Sequence, residues 1–103
     1  MKKNLFHGAL LEAVLLSLIN EASNQGLHGY ALLKMMHKKF GVQLGPSTLY
    51  PELQLLEKQA LIASSWEFSL GRMHRQYRIT RRGQNVLREY FAELKIVVYP
   101  LVI

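Results

Sequence analysis

The chain has no cysteine, no aspartate, a single tryptophan and three prolines among its 103 residues. Without cysteine, disulfides and thiolate metal sites are excluded, and a reducing cytoplasm is the expected location. The four histidines are scattered, with no metal-ligand spacing between them. No phosphate-binding glycine loop, nucleophile elbow or metal motif occurs, which argues against an enzyme. The most apolar run, Ala9 to Ile19, is broken by Glu12 and Ser17. It is shorter than the roughly 20 residues a bilayer span needs. Met1-Lys2-Lys3 ahead of apolar residues faintly resembles a secretory leader, but no clear small-residue cleavage site follows. The run reads better as a buried helix, and no membrane partner or cofactor is expected. Repeats, low-complexity tracts and long linkers are also missing, so the length suits one small domain.

What is present is basic charge. The net charge is +6 and the isoelectric point about 9.8. Such an excess favours a polyanion, either nucleic acid or an acidic membrane surface. It is uneven: five arginines fall between Arg72 and Arg82 with no acid among them.

Periodicity gives the elements. A first helix is expected from about Leu5 to Ser23. Its apolar residues, Leu11 and Leu15 among them, surround the axis, so one side should meet another subunit. Ser23-Asn24-Gln25-Gly26 then turns the chain. A second helix spans Gly29 to Phe40, with Leu32, Leu33, Met36 and Phe40 inside and Lys34, Lys38 and Lys39 outside. Gly41 stops it, and Val42-Gln43-Leu44 forms a short extended piece.

A third helix is expected to start at Ser47 or Thr48, with Pro51 in its first turn. Leu49, Leu53, Leu56 and Ala60 form its inward stripe. Ser47, Pro51, Gln54 and Lys58 lie opposite, beside Leu55. Leu61–Phe68 and Arg75–Ile79 read as two strands of a hairpin with a basic tip, and Trp66 reads as core. Thr80 caps a last helix to about Tyr99, which Pro100 ends or kinks. Leu87, Tyr90, Leu94, Val97 and Leu101 make a heptad seam, widened by Phe91 and Val98.

This order predicts a mainly α fold with a small β-hairpin wing: a winged helix-turn-helix over residues 1–80, then a C-terminal dimerisation helix over 81–103. A helix with one anchored face and one face free of bulk suits the major groove of DNA. Ser47 and Thr48 are either caps or phosphate ligands at a helix N-terminus. Gln54 is a candidate base reader, and Lys58 a contact to phosphate or guanine. Arg72, His74 and Arg75 suit the neighbouring backbone or minor groove. Tyr30, Tyr50, Lys38 and Lys39 complete the candidate DNA contacts, the tyrosines being equally suited to the core with their hydroxyls at the rim.

Certain short runs also resemble the PadR family of transcriptional regulators. They are Leu27-His28-Gly29-Tyr30, then Ser47-Thr48-Leu49-Tyr50-Pro51-Glu52-Leu53, Leu56-Glu57, Leu61-Ile62 and Trp66-Glu67. Gly71-Arg72, Arg75-Gln76-Tyr77-Arg78-Ile79-Thr80 and Gly83 complete the set. The resemblance covers about residues 8 to 95. It implies a winged helix-turn-helix whose third helix reads duplex DNA, and a homodimer whose last helix packs on the partner's first. It also implies repression of nearby genes, sometimes relieved by a small aromatic or hydrophobic effector. Two departures stand out. Ala60 occupies a place the family usually gives to Gly, and the last helix has no Trp.

Two-fold symmetry would match a palindromic operator. The rival reading is a winged-helix module that docks protein without binding DNA, supported by Pro51 and Leu55 near the outer face of the third helix. RNA binding lacks the expected exposed aromatic platform.

Overall fold

The computed structural model describes residues 8–22 and 25–102, with side chains from 10–22 and 25–93. The order is α1 (Gly8–Ala22), β1 (Leu27–His28), α2 (Gly29–Phe40), α3 (Pro46–Lys58), β2 (Ile62–Ser69), β3 (Arg72–Ile79) and α4 (Arg81–Val102). The strands form one antiparallel sheet in the order β1-β3-β2. This is the winged helix-turn-helix that the element order predicted.

Helical spacing of leucines builds the core. Leu15, Leu16 and Ile19 of α1 meet Leu32 and Met36 of α2 and Leu49, Leu53 and Leu56 of α3, all fully buried. Each such side chain contributes about 1.5–3 kcal/mol on leaving water. Ile62 and Tyr77 close the core from the sheet, and Leu87 from α4. Phe40, expected inside, is exposed at the end of α2, where the helix runs past the core. Leu11, Leu15 and Leu87, expected at a subunit interface, are instead sealed inside this protomer. The first two face the chain's own helices, so the outer side of α1 is represented by Leu10.

The extended piece expected at Val42–Leu44 is not part of the sheet, and a third strand, Leu27–His28, pairs with Tyr77 and Gln76 of β3. Two residues are too few to show a period, so only the pairing reveals them. Helix α3 starts earlier than expected. Gly45 is its N-cap, Pro46 stands in the first turn, and no side chain caps it. Pro51 therefore falls a full turn inside, where it leaves the Ser47 carbonyl without its usual partner.

Both α2 and α3 end on a residue in the left-handed conformation, but only α3 closes with the Schellman pair of bonds; the bonds of α2 span one residue more. In α2, Gly41 takes the left-handed position at φ 66°, with N–H bonds from Gly41 to His37 and from Val42 to Met36. In α3, the Ala60 N–H bonds Glu57 and the Leu61 N–H bonds Leu56, with Ala60 at φ 62°. Ala60 thus leaves the expected inward stripe: it is the exposed residue that reverses the chain. The methyl makes that conformation cost about 1 kcal/mol that glycine would avoid.

Thr80 joins this turn to α4. Its hydroxyl accepts the Gly83 N–H at 3.0 Å as an N-cap and donates to the Ala60 carbonyl at 2.7 Å. Helix α4 continues past Pro100 to Val102. A proline this close to a helix end removes a single hydrogen bond, so the helix was not stopped where expected.

Strands β2 and β3 pair from Ile62↔Ile79 to Ser69↔Arg72, joined by Leu70 and Gly71. Both turn residues have positive φ, 52° and 79°. This is the two-residue turn whose twist suits a hairpin. Strand β3 thus begins at Arg72, earlier than the expected Arg75. Alternation puts Ile62, Ser64, Trp66 and Phe68 on one face with Ile79, Tyr77, Arg75 and Met73. At the base that face is core. Toward the tip it runs beyond the helices, and Trp66 is 61% exposed. Trp66 is therefore not a core residue, because the strand carries it past the helices that would cover it.

Candidate nucleic-acid interface

The outer face of α3 follows from its inner one. With Leu49, Leu53 and Leu56 pinned in the core, Ser47, Pro51, Gln54 and Lys58 are turned to solvent, and all are exposed. Thr48 is half-buried and Leu55 exposed at the border. Because Gly45 is the cap, the hydroxyls of Ser47 and Thr48 are not used in capping.

Tyr30, Tyr50, Arg72, His74 and Arg75 line one shallow depression between the start of α2, α3 and the wing. Gly29 makes this possible. A Cβ there would lie 2.7 Å from the Tyr50 ring, so a side chain at this position would displace the tyrosine from its seat between α2 and α3. Tyr30 projects into solvent, with the Lys34 ammonium 5.5 Å from its ring centre. Neither tyrosine is a core residue with only its hydroxyl at the rim.

The three basic residues of the wing differ. Arg75 lies over the Trp66 ring at 5.1 Å, and its Nε donates to Ser64 Oγ at 3.0 Å. Glu57 is 3.8 Å from its guanidinium and accepts the Ser64 hydroxyl at 2.6 Å. Arg72 has no such partner among the described residues, so its charge is the freer one. His74 is not at the tip. It sits half-buried on the opposite face from Arg75, stacked on His28 at 4.6 Å, and donates to the Ser69 carbonyl at 3.1 Å. His28 in turn donates to Glu67 at 2.9 Å. Adjacent residues of a strand point to opposite faces, which is why Arg72 and His74 part from Arg75.

Lys38 and Lys39 are not gathered with this group. Lys38 lines a separate depression with Lys34, His37 and Gln43, and Lys39 is paired to Glu21 at 2.9 Å.

Gln76 is a residue that sequence reasoning missed. It is the buried polar side chain at the hairpin base, donating to the Gln25 carbonyl and accepting from Arg78 at 2.8 Å. It ties the loop before β1 to the wing. The neighbouring Tyr77 hydroxyl is pushed up by burial, opposed by the charge of Arg75.

On α4, Tyr90 is half-buried and donates to Glu12 of α1. Burial, the Glu12 bond and the nearby negative charges push its pKa up to about 12. Phe91, beside it, is 51% exposed. Leu94, Val97, Val98 and Leu101 lie outside the residues with described side chains.

Among the described residues, no helix is long and apolar enough to cross a membrane, and no group of three or more His or Glu is arranged to hold a metal ion.

Comparison with known proteins agrees with this architecture. Residues 15–89 match the model of the transcriptional regulator PadR-like family. A Mycobacterium tuberculosis transcriptional regulator is 36% identical over 77 residues, covering 75% of this chain and 71% of that protein. The PadR family transcriptional regulator of Eggerthella lenta superposes with a TM-score of 0.75 at 33% identity, covering 88% of this chain and 77% of that one. A PadR-like transcriptional regulator of Bacillus cereus gives 0.77 at 27% identity, over 89% and 87% of the two chains. With the family's winged helix, an exposed reader-like helix and a basic hairpin beside it, this chain is not an enzyme but belongs to the PadR-like family of DNA-binding transcriptional regulators.

Proposed function

We propose that this regulator is a homodimer that binds a palindromic operator in duplex DNA and represses transcription from it. The observation that carries the reading is the exposed face of α3, with Ser47, Gln54 and Lys58 around Pro51, on the helix whose Tyr50 shares a depression with the unpaired Arg72. Helix α3 enters the major groove. There Gln54 reads a base edge, Lys58 and the Ser47 and Thr48 hydroxyls meet phosphate or base, and Tyr30 and Tyr50 border the backbone. Arg72 and Arg75 neutralise neighbouring phosphates from the wing. Lys38, and Lys39 if it exchanges Glu21 for phosphate, extend the contact.

The heptad positions Tyr90, Leu94, Val97 and Leu101, widened by Phe91 and Val98, form the seam with a second copy. Two-fold symmetry then sets the reader helices about 34 Å apart, one turn of DNA. A small hydrophobic or aromatic effector relieves repression.

The test is binding to random-sequence 30-base-pair duplexes at two salt concentrations, followed by selection of the tightest. Salt-sensitive binding with an enriched palindrome supports the reading, and no binding at low salt removes it. Replacing Arg72 by Ala lowers the salt slope by about 1 without changing sequence preference, whereas Gln54→Ala changes preference. Leu94→Glu dissociates the dimer in sedimentation. A surviving dimer moves the interface elsewhere.

A further inference from the structure

The wing tip presents large apolar side chains to water. Leu70 is 96% exposed, Phe68 68% and Met73 53%. Phe68 and Met73 are direct cross-strand partners, and Leu70 stands in the turn just beyond them. Scattered surface leucines need no explanation, but a contiguous cluster at the end of a projecting hairpin marks a contact surface.

Leu70 is disfavoured twice over. Besides its exposure, it holds φ at 52° in a turn position where glycine, asparagine or aspartate is the usual residue. Neither its packing nor its backbone explains a leucine there. Its use must lie in what it touches outside the chain. The surroundings select that partner. Arg72 follows the turn without a partner, and Arg75 stands behind Met73 over the Trp66 ring. The nearest acid along the hairpin, Glu67, is on the opposite face from Phe68 and Met73 and is engaged by His28. An apolar point flanked by arginines fits the minor groove, whose walls are sugar and whose rims are phosphate.

We infer that Leu70, backed by Phe68 and Met73, is a wedge that enters the minor groove and opens a base step, bending the operator while Arg72 holds the flanking backbone. This rests on the DNA-binding reading above. It adds that the wing deforms the duplex as well as neutralising it. Apolar wedges of this kind kink DNA by about 20–90°.

Leu70→Asn is the decisive variant. Asparagine suits the turn better than leucine, so the hairpin is kept and the fold is at least as stable. The probe is the tightest 30-base-pair duplex selected from the random pool, labelled at both ends for energy transfer. A second copy carries 2-aminopurine across the central and flanking steps. Wild-type protein should shorten the end-to-end distance and raise emission at one step. Leu70→Asn should bind about tenfold more weakly and lose both signals. Leu70→Met should retain them. The tryptophan emission, which comes from Trp66 alone, should change on binding by the wild type and less by the asparagine variant.

If Leu70→Asn binds and bends the selected duplex like the wild type, the wedge is overturned while DNA binding stands. The same holds if only its self-association changes, which would assign the tip to a second copy. If the wild type selects no duplex at all, the DNA-binding reading fails first.

Discussion

At the base of the β2–β3 hairpin, Ile62 and Tyr77 are buried and Gln76 is fully engaged, while at the tip Phe68, Leu70 and Met73 stand in water. The same two strands pair without interruption from one end to the other. Base and tip therefore differ in what surrounds them rather than in backbone. The base obeys the rules of folding: apolar inward, polar groups bonded, helix α4 locked on by Thr80. The tip breaks two of those rules at Leu70. A region that folding alone would not choose is a region kept for contact.

The largest effect should come from breaking the base at Gly83. A Cβ there would lie 2.0 Å from the Leu61 carbonyl oxygen, so α4 would have to move off the α3–β2 turn. Gly→Ala inside a helix normally stabilises, by about 1 kcal/mol. Here Gly83→Ala should destabilise by about 3 kcal/mol in urea unfolding, because the clash is with backbone. A neutral result would mean that α4 is not held at Leu61.

The turn beneath the base gives the opposite sign. Ala60→Gly removes the methyl from a left-handed position and should stabilise by about 1 kcal/mol, a midpoint shift read in the same titration. No gain would mean that the turn relaxes in solution.

A pH experiment sets α4 against the wing. Tyr90 titrates at about 12 folded, against 10 for the free side chain. Between those values the folded chain keeps a proton that the unfolded chain has lost, so stability falls as pH rises through the window. Tyr90→Phe should flatten part of that fall. Tyr77, raised in the same direction, accounts for some of the remainder. An unchanged slope would mean that Tyr90 does not hold its proton against Glu12.

The smallest effect sharpens the contrast at the tip. Phe68→Ser should change stability by less than about 0.5 kcal/mol, since little of the ring is buried. A loss above about 1 kcal/mol would show that the tip packs on the protein.

Much of this was legible from residue order. The leucine spacings of α2 and α3, the Gly41 stop, the Thr80 cap and the basic hairpin all appear where periodicity and turn chemistry put them. Pattern failed where a property belongs to partners distant in sequence. Leu27–His28 is a strand only because β3 lies beside it. Trp66 is apolar yet exposed because its strand outruns the helices. Leu11, Leu15 and Leu87 suit either a core or an interface by composition, and only packing assigns them to the core. His74 and Arg75 are neighbours in the chain but lie on opposite faces.

The sequence by itself determined the four helices, the hairpin and their winged helix-turn-helix order, because periodicity, caps and turn residues act over a few positions each, and its short motifs carried the family resemblance. The tertiary structure alone decided which arginine is free, which histidines stack, how Gly29 admits Tyr50, and that an apolar cluster lies at the wing tip. Those depend on where chain segments far apart in sequence meet, and no local pattern encodes that meeting.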